Sequence, residues 1–180
     1  MFKGFNIDKF KNIKPPSDNS FKTMQEVKQI NSIPMDKGNV KKYDNVEKTF
    51  ADVAVKNNVK NYDSTLVGSI IKKSAPIILK LKKHFNRPRP KVIAKKLGIK
   101  MQDHEMSSMK TPSYPSGHSA QGILIGMLLA KKHPRAAKQF MQAGKNISKS
   151  RNIAKAHYRS DSKMGEQLGK EMFEHIKNKV

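Results

Sequence analysis

The longest unbroken apolar run, Gly122-Ile-Leu-Ile-Gly-Met-Leu-Leu-Ala130, is nine residues long, about half of the ~20 that a helix needs to cross a bilayer. The second, Leu66 to Leu81, is cut by Lys72-Lys73 and Pro76. Both read as core helices of a soluble protein. Ser116 stands as an N-cap before the first run and Pro134 stops it. Strand-type alternation appears nowhere. The expectation is an all-α fold: one helical bundle domain, which 180 residues can fill.

Residues 1–19 mix Lys, Asn and Pro15-Pro16 without period and are expected to be extended or mobile. The helical domain is expected over 20–180. From Ser20, Met24, Val27 and Ile30 share a face, with Thr23 and Glu26 at capping-box spacing. Pro34 to Gly38 punctuates the chain. Further helices are expected over Val46–Val59, from Asp63 or Ser64 with a kink or split at Pro76, and over Val92–Leu97 with Gly98 closing it. Pro88 and Pro90 end the Pro76 helix near Arg87. Residues 100–115 read as a loop. A helix from Arg135 reaches Ile153, and the last runs from about Ser160 to Lys177, burying Met164, Leu168, Met172, Phe173 and Ile176.

With 37 Lys and Arg against 14 Asp and Glu, the net charge is +23. Such a chain attracts nucleic acid, an acidic membrane surface or a phosphorylated substrate. Its choice of cation is more selective: 32 are Lys and five are Arg. Four of the five, Arg87, Arg89, Arg151 and Arg159, fall in two polar clusters, whereas Arg135 reads as a surface residue. Guanidinium matches phosphate oxygens two at a time, which Lys cannot do. There is no Cys, hence no disulfide, thiolate nucleophile or Cys-ligated zinc. The opening Met1-Phe2-Lys3-Gly4-Phe5-Asn6 has no apolar leader, so the expectation is a cytoplasmic rather than an exported protein.

The clusters are 82–90 (KKHFNRPRP), 115–118 (PSGH), and Ser150-Arg151 with His157 and Asp161. Ser116-Gly117-His118 at a helix start offers free N–H groups and the positive dipole end to an anion. Lys82, Arg89 and Arg151 would neutralise a phosphate dianion. The Asp161 carboxylate, four residues from His157, can hold one imidazole nitrogen on a helical turn and leave the other as nucleophile or base. His118 would protonate the leaving oxygen. No His or Cys spacing suits a metal, so none is assigned. His84, His104, His133 and His175 are assigned no role.

Together the clusters spell Lys-x6-Arg-Pro, Pro-Ser-Gly-His and Ser-Arg-x5-His-x3-Asp, in order across residues 82–161. This resembles the signature of the type 2 phosphatidic acid phosphatase superfamily, which includes the class A bacterial acid phosphatases and the vanadium haloperoxidases. The first motif fits twice, as Lys80 with Arg87-Pro88 or Lys82 with Arg89-Pro90. Arg87 as an extra Arg and Tyr114 before Pro115 resemble the class A enzymes and favour Lys82 with Arg89. The resemblance implies a helical bundle in which Lys82, Arg89, Ser116, Gly117 and Arg151 hold phosphate. It further implies that His118 is the acid, His157 is transiently phosphorylated and Asp161 orients it.

The expected function is metal-independent hydrolysis of phosphomonoesters, with diphosphates as a further class. No cofactor is expected, and vanadate should bind as a phosphate mimic. Two alternatives stand beside it: a vanadate-dependent haloperoxidase, and an inactive basic protein that binds nucleic acid or an anionic surface.

Overall fold

The computed structural model describes residues 1–102 and 104–180. Its helices are α1 (Asp8–Lys11), α2 (Phe21–Asn31), α3 (Lys37–Asp44), α4 (Val46–Lys56), α5 (Ser64–Phe85), α6 (Pro90–Lys96), α7 (Gly117–Lys132), α8 (Ala137–Ile153) and α9 (Arg159–Ile176). Short 3-10 turns lie at Ser107–Lys110 and Pro134–Ala136. No strand occurs among the described residues, and no helix among them is long and apolar enough to cross a membrane.

Helix α7 is the axis of the bundle, because its apolar residues leave no polar face to present to water. Ile123, Leu124, Ile125, Leu128 and Leu129 are all buried. Helices α8 and α9 lie against it at glycine contacts. A Cβ at Gly144 would run into the Gly122 carbonyl, and one at Gly165 into that of Ser116. Backbones this close leave room for no side chain. The remaining core comes from α4, α5, α8 and α9, through Phe50, Ile70, Leu81, Phe140, Leu168 and Met172.

The polar residues that begin helices do so by accepting N–H bonds: Ser20 from Thr23, Asp36 from Asn39, Asn45 from Lys48, Asp63 from Leu66 and Ser116 from Ser119. The cap of α2 is therefore Ser20. Glu26 is not in a capping box with Thr23, because its carboxylate is drawn to Arg87 and Ser160.

Three other features differ from the sequence reading. Within 1–19, α1 seats a fully buried Phe10, Phe5 stacks on it at 5.9 Å, and Tyr114 Oη donates to Ile13 O at 2.7 Å. Two aromatics supply the anchoring that this Lys- and Asn-rich stretch otherwise lacks. Helix α5 passes through Pro76 unbroken. The roughly 3 kcal/mol cost of an interior proline is offset by burying Ile70, Ser74, Ile78 and Leu81 on one face, and Gln121 Nε2 donates to the Ile71 carbonyl nearby. Helix α3, which has no apolar period, was absent from the sequence reading; it is capped by Asp36 and held by the single buried side chain Val40.

Candidate active site

Each cluster sits where a helix begins or ends. Lys82 is in the last turn of α5, after which Asn86 takes left-handed geometry (φ 46°) and turns the chain out of the helix. Arg87 and Arg89 follow, with Pro90 opening α6. Ser116 caps α7, and a Cβ on Gly117 would lie 4.0 Å from Lys82 Cε.

The spacing of the third cluster has a specific backbone cause. Arg151 lies in the last turn of α8. Lys155 then adopts φ 59°, so that Lys155 N donates to Asn152 O and Ala156 N to Arg151 O, both at 3.0 Å. This is the Schellman helix end, here with Lys where glycine is usual. The turn folds the chain back and delivers His157 just ahead of α9. Asp161, in the first turn of α9, accepts from Tyr158 N at 3.1 Å and from His157 Nδ1 at 3.2 Å. His157 and Asp161 therefore meet across a helix start, not along one helical turn as their spacing suggests. The chain at His157 is still leaving the Schellman turn, which no periodicity reveals.

The tautomer of His157 follows from its partners. Arg89 Nη1 lies 3.0 Å from His157 Nε2, and a guanidinium has only donors. Nε2 must therefore offer a lone pair, which leaves the ring proton on Nδ1, donated to Asp161. Burial first, then the charges of Arg89, Lys82, Arg151 and His118, hold the pKa of His157 well below its ordinary value. The ring is thus a neutral imidazole whose Nε2 lone pair lies on the cationic side and accepts from Arg89.

Asp161 is fully buried and ringed by donors: Arg87 Nη1 at 2.7 Å, the Ser113 hydroxyl, Tyr158 N and His157. Burial holds its carboxyl pKa above the ordinary value, against the opposing pull of Arg87 and the hydrogen bonds. Arg87 also reaches Glu26 at 3.2 Å, Thr23 at 3.3 Å and Ser160 at 2.7 Å, and lies 3.8 Å over the Tyr158 ring. It is a counter-ion beneath the site, a different position from that of Arg89.

Lys82, Arg89 and Arg151 are all nine-tenths or more buried. Lys82 Nζ donates to Pro112 O at 2.6 Å, whereas Lys80 is exposed. Arg89 is fixed by the carbonyls of Thr111, Ala156 and Ser108, each within 2.9 Å. Burial, with Arg89 and Arg151 adding to it, lowers Lys82 to about 7. Arg89 falls to about 10, chiefly by burial. Positive charge is held here in excess of what the fold neutralises.

His118 and Arg151 meet at Asp44, a residue the sequence reading missed. Arg151 Nη1 donates to Asp44 Oδ1 at 3.0 Å, and His118 Nε2 donates to the Asp44 backbone carbonyl at 2.9 Å. Nε2 of His118 therefore carries a proton, since a carbonyl can only accept. Burial and Arg151 lower the pKa of His118 to about 4. Arg151 Nη2 reaches Met106 Sδ and Ser108 Oγ, while its buried Nε has no partner among the described residues. An unpaired buried donor beside three cations suits an anion.

Ser116 and Gly117 contribute differently. Ser116 Oγ accepts from Ser119 N and from Ser119 Oγ, and Ser116 N donates to Asp161 O at 3.0 Å. The backbone of this residue is thus committed to the fold. Gly117 and His118 lead α7, whose first N–H groups have no intrahelical acceptor. Arg159, the fourth clustered arginine, is exposed and makes no contact with the site. A groove of about 620 Å³ lined by Arg89, Val92, Met106, Met109 and Lys110 opens beside Arg89.

Asp44 left no trace in the sequence, since it ends the unforeseen α3 and precedes an Asn that caps α4. Glu26 did leave one: an acid on the apolar face of α2 in a chain with few acids implies a buried cation.

The family model of the PAP2 superfamily matches residues 64–169, a stretch that holds all of these groups except Thr23, Glu26 and Asp44. Over 88 residues, 49% of this chain, the sequence is 35% identical to a non-specific acid phosphatase of Salmonella typhimurium and 34% identical to one of Salmonella typhi. Over 84 residues it is 34% identical to an acid phosphatase of Zymomonas mobilis. These matches span 35%, 35% and 31% of the relatives, so the chain covers about a third of their length.

Proposed function

The chain belongs to the PAP2 superfamily, and from that premise we propose that it is a metal-independent phosphatase acting on phosphomonoesters, and on diphosphates, through a phosphohistidine at His157. The observation that carries this reading is the line Arg89–His157–Asp161. A neutral buried imidazole presents its lone pair toward a socket of cations while a carboxylate holds its other nitrogen.

Lys82, Arg89, Arg151 and the first N–H groups of α7 hold the phosphoryl oxygens. The lone pair on His157 Nε2 attacks phosphorus, the P–O bond to the leaving group breaks, and His118 gives that oxygen its proton. Positive charge growing on His157 is stabilised by Asp161. A water then attacks phosphorus, giving its proton to His118, and the P–N bond breaks to release phosphate. The charge stabilisation that a metal ion supplies in other phosphatases falls here to the three cations. Their charge also suits vanadate, which mimics the five-coordinate phosphorus. A bound dianion raises the pKa of His118, so the ring can be protonated when it is needed as an acid.

The test is hydrolysis of p-nitrophenyl phosphate by the full chain with a metal chelator present. Turnover should persist in chelator and fall by about a thousandfold or more in His157→Ala. Undiminished turnover in that variant refutes the assignment.

A further inference from the structure

Arginine is scarce in this chain, and three of the four clustered ones lie buried in or beneath the cradle. Arg159 lines a separate groove of about 410 Å³ between α8 and α9. Lys145 and Lys149 stand on the α8 wall, and Arg159 and Lys163 on the α9 wall. Each pair is four residues apart, which stacks like charges one turn above each other, an unfavourable arrangement for an isolated helix. None of these four charged groups has an ion-pair partner among the described residues. The groove's one acid, Glu166, accepts from Ser148 Oγ at 2.6 Å.

The floor is polar as well. Asn152 Nδ2 donates to His157 O at 2.9 Å and to Ser162 Oγ at 3.1 Å, leaving the Ser162 hydroxyl its own proton to give. No phosphate-holding or catalytic group of the cradle lines this groove. Two walls of cations without ion-pair partners face each other over a floor where the Ser162 hydroxyl keeps a proton to give, and the volume is that of a small ligand. Four residues of helix place the two cations of a wall about 6 Å apart along the axis, which suits an anion with several phosphoryl groups in a row.

We propose that this groove is a second anion site, separate from the catalytic cradle, that takes a linear oligophosphate between α8 and α9. The probe is inorganic triphosphate, titrated calorimetrically into the full-length His157→Ala chain, which removes the proposed nucleophile. Two binding events per chain are expected. The double variant Arg159→Ala with Lys163→Ala should weaken one of them at least tenfold, while Arg151→Ala weakens the other. Lys138→Ala with Lys170→Ala removes two exposed cations from the same helices outside the groove and should change neither event by more than twofold. Glu166→Gln should tighten the groove event severalfold, a gain that misfolding does not produce. One binding event per chain overturns the proposal. So does equal weakening by both double variants, or no gain in Glu166→Gln.

Discussion

Arg89 Nη1 lies 3.0 Å from His157 Nε2, the ring nitrogen opposite the one held by Asp161. A cation against the lone pair of the proposed nucleophile looks counterproductive. With burial it keeps the imidazole neutral, however, and in the proposed mechanism the same guanidinium orients the ring and binds the incoming phosphoryl oxygens.

As the proposed acid His118 must be protonated, and its pKa is lowered to about 4 by burial and Arg151. Because kcat/KM reports the free enzyme and kcat the bound complex, kcat/KM should fall as pH rises above about 4. The corresponding limb of kcat should lie at least about one unit higher, because the bound dianion opposes Arg151. His118→Ala should lose that limb. Full pH–rate profiles check this.

Lys82 loses its proton near 7 in the folded chain, through burial and the neighbouring arginines. Below that pH it adds a positive charge to the cradle, and above it does not. Inhibition by sulfate, whose own charge is constant here, should weaken about tenfold between about pH 6 and about pH 8, roughly 1.4 kcal/mol of lost charge pairing. Lys82→Met should flatten that dependence. Inhibition constants across pH measure it.

The same burial leaves a signature in stability. His157 titrates well below 6.5 when folded and near 6.5 when unfolded, so between those values the unfolded chain binds more protons and stability rises with pH. Its contribution is present above about pH 6.5 and lost as pH falls below it. The melting temperature should decline from about pH 7 to about pH 5, and His157→Gln should reduce that slope.

Asp44 shares Arg151 with any bound anion, and its charge helps hold a proton on His118. Asp44→Asn should therefore tighten vanadate inhibition about two- to fivefold, the order expected of a half-exposed charge pair, while lowering kcat. A change in both affinity and turnover in the same direction would contradict this account of Asp44.

Arg87 holds two buried carboxylates, Asp161 at 2.7 Å and Glu26 at 3.2 Å. Arg87→Ala strands both, a loss of about 3–5 kcal/mol that corresponds to roughly 10 °C in a chain of this size. Thermal denaturation of that variant against Lys83→Ala, an exposed control, checks it.

Several helix ends were legible in the sequence, because Ser116, Asp63, Gly98 and the Pro88 and Pro90 stop near Arg87 act through local backbone chemistry that a few neighbouring residues determine. The backbone between Arg151, His157 and Asp161 was not: their spacing reads as one helical turn, whereas a Schellman turn at Lys155 and a helix start at Tyr158 lie between them. What else stayed hidden came from distance in sequence. Asp44 reaches Arg151 from 107 positions away, and Glu26 reaches Arg87 from 61. Phe10 anchors the N-terminal stretch only because the core has a place for it. Spacing alone fits the first motif to Arg87 or Arg89, and it is the turn after Asn86 that sends one beneath Asp161 and the other to His157 Nε2.

The most direct measurement is rapid chemical quench of the full chain with radiolabelled p-nitrophenyl phosphate, followed by mapping of protein-bound label. A label on His157 that survives alkali and is lost in acid, forming no slower than turnover and absent from His157→Ala, is the predicted result. Turnover with no protein-bound phosphate at any time, or the same label in His157→Ala, would contradict it.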